Sequence, residues 1–255
     1  MADDPIAKQY VQSYQKAKAF RENWVPLFEE CYEYALPQRE SFYHEEAGQR
    51  RDDKIFDETA VVGVQEFASR LQSGIVPNFA RWADLLAGSE VPVEQREEVN
   101  NELDEVTDYV FEVLQNSNFS QEVHESFMDL AVGTGILCVE EGDSVNPVRF
   151  SAIPLPHVVL DNGPDDTIDH VYRERKKVKF DHLSLMYPTG QFNSEVMALM
   201  GSGRETTVLE IVCRDYSKKN QEAYFHFAIC MTTKSCIYKK EMSGLGSNPF
   251  VCFRW

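Results

Sequence analysis

Two glycines, Gly133 and Gly135, interrupt the stretch DLAVGTGILCVEEGD at residues 129–143, between a helix-like apolar run and a strand-like one. Glycine-rich loops cradle phosphates when a strand precedes them and a helix follows. Here the order is reversed, the next residues are ILC, and no lysine is near. We therefore expect a structural break from helix to strand at Gly133 and Gly135, with a positive φ angle at one of them, and no bound nucleotide.

An acidic turn, DNGPDD, offers Asp161, Asp165 and Asp166 as oxygen ligands for a divalent cation. Their spacing does not match a calcium-binding loop, and Asn-Gly between two strand-like runs is typical of a hairpin. The six histidines include no H-E-x-x-H motif, and no serine lies in a G-x-S-x-G turn. The sequence predicts no catalytic residue, no metal and no cofactor.

Two basic clusters stand out in an acidic chain. QRRDDK carries Arg50, Arg51 and Lys54. The second cluster, RERKKVK, carries Arg173, Arg175, Lys176, Lys177 and Lys179. Along a strand, these side chains are candidates for contact with phosphates or with an acidic neighbouring subunit. The alternative is an edge strand that its charges protect from aggregation.

The composition indicates an ordinary folded protein. The chain has 255 residues, 43% of them hydrophobic, and a formal charge of -17 from 25 basic and 42 acidic residues. This charge argues against general attraction to nucleic acid or to an anionic membrane. The start MADDPIAKQY is not a signal peptide, so a cytoplasmic protein is expected. Six scattered cysteines without a C-x-x-C pair are expected to be reduced core residues.

The residues before the glycines carry apolar side chains every three or four positions, which predicts amphipathic helices. Pro26 should kink or split the first helix because proline lacks a backbone donor. Asp57 is the predicted N-cap of the second helix, Pro77 ends it, and Pro92 opens the third. A fourth helix begins near Ser120. The apolar positions are Tyr10, Tyr14, Ala17, Trp24, Phe28 and Cys31 in the first helix, Val61, Val64, Ala68, Leu71 and Ile75 in the second, and Val99, Leu103, Val106, Val110 and Val113 in the third.

After Gly135 the pattern changes to short strands separated by turns. The predicted strands are ILCVEE, VRFSAI, HVVLD, IDHVYRER, TVLEIVCRDY, AYFHFAICMT, CIYKKEM and FVCFRW, with helical segments FDHLSLMYP and NSEVMALMG between two groups of them. The predicted fold class is α+β, with amphipathic helices first and antiparallel strands and hairpins after. This divides the chain into a helical part, 1–134, and a β-rich part, 135–255.

The order of these segments resembles the portal, or head-to-tail connector, proteins of short-tailed bacteriophages. The resemblance rests on YALPQRESFY, KIFDETAVVGVQEFASRLQSGIVPNFARWADL, FSQEVHESFMDLAVGTGILCVEEGD and VRFSAIPLPHVVLDNGPDDTIDHVYRERKKVKF. In that family the second helix also ends at a proline before an Arg-Trp-like pair, here Arg81 and Trp82. The resemblance covers residues 8 to 180 closely and the strands up to Trp255 more loosely.

The resemblance implies a non-enzymatic structural protein of the virion. The family forms a ring, expected to be a homododecamer, at one vertex of the capsid, and DNA is packaged and ejected through its channel. The implied partners are other copies of the chain, the major capsid protein, the scaffolding protein, the terminase during packaging, tail adaptor proteins and the double-stranded DNA, with no membrane. Assembly would take place in the host cytoplasm.

The family's long channel helices, its clip and its crown are not found in this chain, which looks like the N-terminal wing portion. Two alternatives stay open. One is a phage metal-dependent nuclease or hydrolase using Asp161, Asp165 and Asp166, and the other is a soluble adaptor module. For the portal interpretation, we expect changing Lys176 and Lys177 to glutamate to weaken the ring, because a positive strand facing an acidic neighbour offsets repulsion between subunits.

Overall fold

The computed structural model describes residues 5–39, 55–164, 166–218, 222–244 and 246–254. Seven α-helices and eight β-strands are found in the described residues, and the strands pair antiparallel. The helices are α1 (Pro5–Arg21), α2 (Val25–Ala35), α3 (Thr59–Ile75), α4 (Arg96–Asn116), α5 (Phe119–Leu130), α6 (Phe180–Met186) and α7 (Ser194–Leu199). The strands are β1 (Thr134–Glu141), β2 (Val148–Ala152), β3 (Val158–Asn162), β4 (Ile168–Lys179), β5 (Glu205–Arg214), β6 (Ala223–Cys230), β7 (Ser235–Ser243) and β8 (Phe250–Arg254). The predicted α+β class is confirmed.

The helix ends follow the predicted punctuation with one correction. The first predicted helix is split, and Pro26 is the second residue of α2, where its missing N–H is not needed. The N-cap of α3 is Glu58, not the predicted Asp57, and Glu58 makes no side-chain cap bond. Asp57 still serves this helix end, because its Oδ1 accepts the backbone N–H of Thr59 at 2.8 Å. Hydrogen bonds from Thr59 lower the pKa of the Asp57 carboxyl.

The chain forms two compact units, each built from two separated stretches. The first unit consists of Met1–Glu30 and Leu155–Pro249, and the second of Cys31–Pro154 and Phe250–Trp255. The second unit takes in the C-terminal stretch because β8 pairs with β1, with Thr134 opposite Arg254. These units do not follow the division into 1–134 and 135–255, which groups residues by secondary structure and stays a prediction.

The first unit is a sheet of strand order β3-β4-β5-β6-β7 with helices on both faces. Residues of β5 alternate between the two faces, so Leu209 and Ile211 pack with α1 while Val208 packs with α6 and α7. The α1 face holds Ala7, Tyr14, Ala17, Val159, Tyr172, Leu209, Ile211, Cys213, Phe227 and Ile229. The opposite face holds Phe180, Leu183, Tyr187, Val196, Val208, Ala228, Cys230 and Ile237.

The second unit is organised around α5, which contacts α3, α4 and the sheet β2-β1-β8. Asn118, just before α5, pairs with the edge of β2 as a strand would. Its Oδ1 accepts the Phe150 N–H at 3.0 Å, and its Nδ2 donates to the Phe150 carbonyl at 2.8 Å. Glu122 accepts the Ala152 N–H at 2.7 Å. These side chains satisfy backbone groups that would otherwise leave β2 open to another strand.

A buried ionic network joins the end of α2 to the end of α5 in the second unit. The Asp129 carboxylate has 0% of its surface exposed. It accepts hydrogen bonds from the Tyr32 hydroxyl at 2.6 Å and from Arg39, whose Nε is 3.3 Å from Oδ1 and whose Nη2 contacts Oδ2. Arg39 also contacts Glu125. Burial on its own lowers the pKa of the Arg39 guanidinium, but Asp129 and Glu125 outweigh burial and raise that pKa.

We expect Asp129→Asn to lower the free energy of unfolding by about 3 to 5 kcal/mol, because the buried Arg39 charge loses its main partner. Urea unfolding followed by circular dichroism would measure the change. Glu66→Gln is the matched control, since the exposed Glu66–Arg70 pair of α3 should contribute only about 0.5 kcal/mol. Equal, small effects of the two changes would contradict a stabilising role for the buried network.

Candidate assembly surfaces

Gly133 and Gly135 occupy positions that favour glycine for two different structural reasons. Gly133 has a φ of 138° and lies between the end of α5 and the start of β1. Gly135 is inside β1 opposite Phe253, and a Cβ there would overlap the Phe253 ring and lie 2.8 Å from the Ser126 carbonyl oxygen. The Gly133 amide donates to the Leu130 carbonyl at 2.9 Å, so this N–H already has a partner.

The acidic turn does not form a metal site among the described residues. Asp161 is in β3 opposite His170, and Asp166, with a φ of 57°, donates its backbone N–H to the Gly163 carbonyl. Asp165 lies outside the described residues. In the described part of the chain, no group of three His, Cys, Asp or Glu residues is placed to hold a metal ion. A nearby buried carboxylate, Asp169, is instead held by Thr167, Arg214 and Tyr216.

Arg173 and Arg175 of the basic cluster are turned towards a buried carboxylate of their own chain. Arg175 Nε is 2.9 Å from Glu210 Oε2, and Arg173 Nη1 is 3.6 Å from the same oxygen. The Tyr187 hydroxyl donates to Glu210 Oε1 at 2.5 Å. Burial on its own raises the pKa of the Glu210 carboxyl, but the two guanidinium groups and Tyr187 outweigh it and hold that pKa below its ordinary value. These two arginines therefore stabilise the first unit.

The lysines of the same cluster lie at a β-bulge. The pairing of β4 with β5 shifts between Arg175 and Val178, and Lys177 has a φ of 54°. Lys177 and Lys179 are exposed, whereas Lys176 lies 3.7 Å from Glu174. The description of RERKKVK as an edge strand needs correction, because β4 lies between β3 and β5 in the sheet order. Its described pairing with β3 ends at Arg173, so the lysines follow the part that is paired on both sides. The other basic cluster, Arg50, Arg51 and Lys54, lies outside the described residues.

The third predicted helix exists as α4, but two of its predicted apolar positions, Val106 and Val110, lie outside its buried face. Val106 and Val110 are 47% and 42% exposed, while Thr107 and Phe111 are 3% and 7% exposed. The periodicity alone could not reveal this, because the buried face is covered by an extended segment, residues 80–87, that has no helical pattern of its own.

The contacts of segment 80–87 fix which side of α4 is covered. The backbone N–H of Leu85 donates to Thr107 Oγ1 at 3.2 Å, and that of Ala87 donates to Asn100 Oδ1 at 2.8 Å. The Trp82 ring packs edge-on against Phe111 with 5.3 Å between ring centroids. The valines of α4 therefore remain as a partly exposed apolar surface.

Arg81 binds one acidic flank of α4. Its guanidinium lies 2.7 Å from Asp104 and 2.9 Å from Asp108, and it also contacts Asp84. The hydrogen bonds that this exposed guanidinium donates to Asp104 and Asp84 raise its pKa. Arg81 and Trp82, which are part of the family resemblance, thus attach segment 80–87 to α4. Arg81 does so through ion pairs, and Trp82 through its ring contact with Phe111.

A comparison with protein families finds one match over nearly the whole chain: the model described as bacteriophage head to tail connecting protein matches residues 7–255. The chain belongs to this family. No curated protein matches the chain. A connector of this family has a structural role in the virion at the junction of head and tail, in contact with capsid and tail proteins.

The family match extends the resemblance noted from the sequence, which was close only over residues 8 to 180, to the C-terminal strands of the connector. A structural connector family also favours a protein without catalysis. Within the described residues, no helix is both long enough and apolar enough to cross a membrane.

Gly133→Val should lower the free energy of unfolding by about 1 to 3 kcal/mol, because valine is strained at a positive φ. Gly135→Ala should also destabilise the connector, but through overlap with the Phe253 ring. Adding Phe253→Leu should recover part of the loss for Gly135→Ala and none of it for Gly133→Val. Urea unfolding of the two single variants and of each combined with Phe253→Leu tests this. Equal recovery with Gly133→Val and with Gly135→Ala would contradict backbone strain at Gly133 and ring overlap at Gly135 as separate causes.

Glu210→Gln should lower the free energy of unfolding by about 3 to 5 kcal/mol at pH 7, because two arginines lose a buried partner. Since the folded pKa of Glu210 is below its unfolded pKa, its contribution is complete above the unfolded value of about 4.3 and is lost as the pH falls through the folded value. The variant should therefore show a shallower loss of stability below about pH 4.3. The exposed Glu205, on the same strand, gives the control Glu205→Gln. Parallel pH profiles for wild type and Glu210→Gln would contradict this assignment.

Proposed function

We propose that this connector is the portal of a short-tailed phage. Its copies form a ring, a homododecamer, at one capsid vertex, and double-stranded DNA passes through the ring during packaging and ejection. The observation that carries this proposal is the family match over residues 7–255. The further proposed partners are the major capsid protein, the scaffolding protein, the terminase and tail adaptor proteins, with assembly in the host cytoplasm.

Exposed apolar side chains support the proposal that this protein assembles with other proteins. Covering exposed apolar side chains with another protein removes their surface from water, which favours association. Both units of the connector carry several large apolar side chains that are more than half exposed. They are Phe20, Trp24, Leu27 and Leu185 in the first unit and Phe56, Ile75, Phe79, Leu86, Val93, Tyr109 and Val145 in the second.

The charge of the chain supports a channel through which DNA can slide. A basic lining would hold DNA by releasing counterions, whereas an acidic one would not. Each copy carries a formal charge of -17. Copies in a ring must therefore repel one another unless local contacts offset the repulsion.

We also propose that the connector performs no catalysis itself, so that the energy for packaging comes from a separate terminase. The family's structural role supports this. The proposed nuclease with Asp161, Asp165 and Asp166 gains no support from the described geometry, in which Asp161 pairs with β4 and Asp166 closes a turn.

The proposed ring predicts a characteristic response to salt. Raising the ionic strength from about 0.01 M to about 0.15 M shortens the Debye length from about 30 to about 8 Å, which screens repulsion between the acidic copies. The fraction of chain in rings should therefore rise over this range. Sedimentation velocity would measure that fraction, and electron micrographs should show closed rings with a central opening.

The salt control compares sodium and potassium chloride at equal ionic strength, which should act alike if screening is the cause. Two results would contradict the proposal. One is a chain that stays monomeric at every salt and protein concentration, and the other is closed particles without an opening. Rings that dissociate over the same salt range would instead show that attraction between unlike charges dominates their assembly.

A further inference from the structure

Among the described residues, α4 carries an apolar face that is partly exposed. Its members recur with spacings of three and four residues, as one side of a helix does. They are Val99, Leu103, Val106, Val110 and Val113, called the valine face below. Val106 and Val110, at its centre, are 47% and 42% exposed. Segment 80–87 covers the Thr107 and Phe111 side of the helix and leaves this face accessible.

Carboxylates continue the valine face towards the start of α4. Glu98 and Glu102 lie eight and four residues before Val106, so they form one row with Val106 and Val110 along the helix. Both are exposed, and neither forms an ion pair with another described residue. The aspartates of the opposite flank, Asp104 and Asp108, are bound by Arg81. The surface beside the valine face is therefore apolar and negatively charged.

These charges decide what can cover the valine face. A second α4 packed parallel to the first would bring its own Glu98 and Glu102 against the first pair, and like charges in close contact are unfavourable. Packed antiparallel, it would place residues near Val113 beside that pair, and this end of α4 carries no basic residue. DNA is excluded for the same reason. The occupant must combine apolar groups with positive charge.

The first unit of the connector presents such a surface at the bulge of β4. Lys177 is held at a φ of 54° in the shifted register, and Lys179 follows it at the end of the strand. Both are exposed and form no ion pair with another described residue, in contrast to Lys176, which is beside Glu174. We call Lys177 and Lys179 the basic bulge.

Lysine fits both properties of the α4 surface. Its four-carbon stem covers apolar surface while its ammonium group stays at a polar rim. The stems of the basic bulge can lie on Val106 and Val110 while the ammonium groups reach Glu98 and Glu102. Two different patches on one molecule give a head-to-tail contact, which is the kind that closes rings.

We propose that the valine face of α4, with Glu98 and Glu102, receives the basic bulge of a second copy of this chain. This inference rests on the proposed ring and names one contact that holds neighbouring copies in it. It places the second unit of one copy against the first unit of the next.

Charge reversal on each side, separately and together, tests the contact in the full chain. The first variant is Lys177→Glu with Lys179→Glu, the second is Glu98→Lys with Glu102→Lys, and the third combines all four changes. Sedimentation velocity at one ionic strength, about 0.15 M, would give the protein concentration at which half of the chain is in rings. We expect each double reversal to raise that concentration at least tenfold and the combination to return it to within about threefold of wild type, because the exchanged charges attract again.

Two matched controls carry the same changes in charge elsewhere. Lys8→Glu with Lys16→Glu alters exposed lysines of α1, and Glu97→Lys with Glu112→Lys alters the flank of α4 that carries Asp104 and Asp108. Each should shift ring formation by less than about threefold if position, and not only net charge, decides assembly. Circular dichroism of every variant would show that the fold is kept, and the rescue by the combined variant does not depend on that measurement.

The outcomes separate this inference from the proposed ring. Rings that form in wild type and persist in both double reversals would overturn the contact and leave the ring in place, with the valine face covered by another partner. Reversals that weaken rings without rescue in the combined variant would also overturn it. A wild-type chain that never forms rings would overturn both proposals.

Discussion

The buried pairing of Asp129 with Arg39 and Tyr32 is the interaction on which the second unit depends. It lies at the end of α5, the helix against which α3, α4 and the sheet β2-β1-β8 all pack. Asp129 lies four residues before Gly133, so the pairing fixes the helix end from which the chain turns into β1. A fully buried carboxylate tolerates few alternative arrangements, because any of them leaves a charge without a partner in a region of low dielectric constant. The network therefore favours one geometry of the break over others.

In the first unit, arginines neutralise a buried carboxylate in the same way, at Glu210. Arg173 and Arg175 belong to the basic cluster of β4, and both are turned towards Glu210. Together with Arg39 and Arg81, they form ion pairs with carboxylates of their own chain. Lys177 and Lys179 are among the exposed lysines that form no ion pair in the described part of the chain, so their positions, and not only the total charge, bear on which surface the connector can bind.

Local features of the fold could be predicted, because helices and strands follow from the spacing of apolar residues and from Pro and Gly. Each predicted helix and strand corresponds to one element whose ends differ by a few residues, except the first helix, which is divided into α1 and α2. The partners of charged residues could not be predicted. Arg39 and Asp129 are 90 positions apart in the sequence, and Glu210 lies beyond two helices from Arg175. For α4, the spacing predicted the helix but not its buried side, because the covering segment 80–87 is extended and carries no periodic signal.

The exposed valines of α4 are informative for that reason. Thr107 and Phe111 of α4 are buried under segment 80–87, whereas the regular apolar row with Val106 and Val110 is left partly exposed. This row is an apolar surface that the second unit does not fully bury. Exposing such a row is costly for a monomer, since burial of apolar surface contributes about 25 cal/mol for each Å² removed from water. In an assembly, that cost is recovered at the contact. The acidic start of the row disfavours pairing of two identical helices, so the proposed contact joins unlike surfaces. Unlike surfaces on identical chains lead to rings or filaments and not to symmetric pairs.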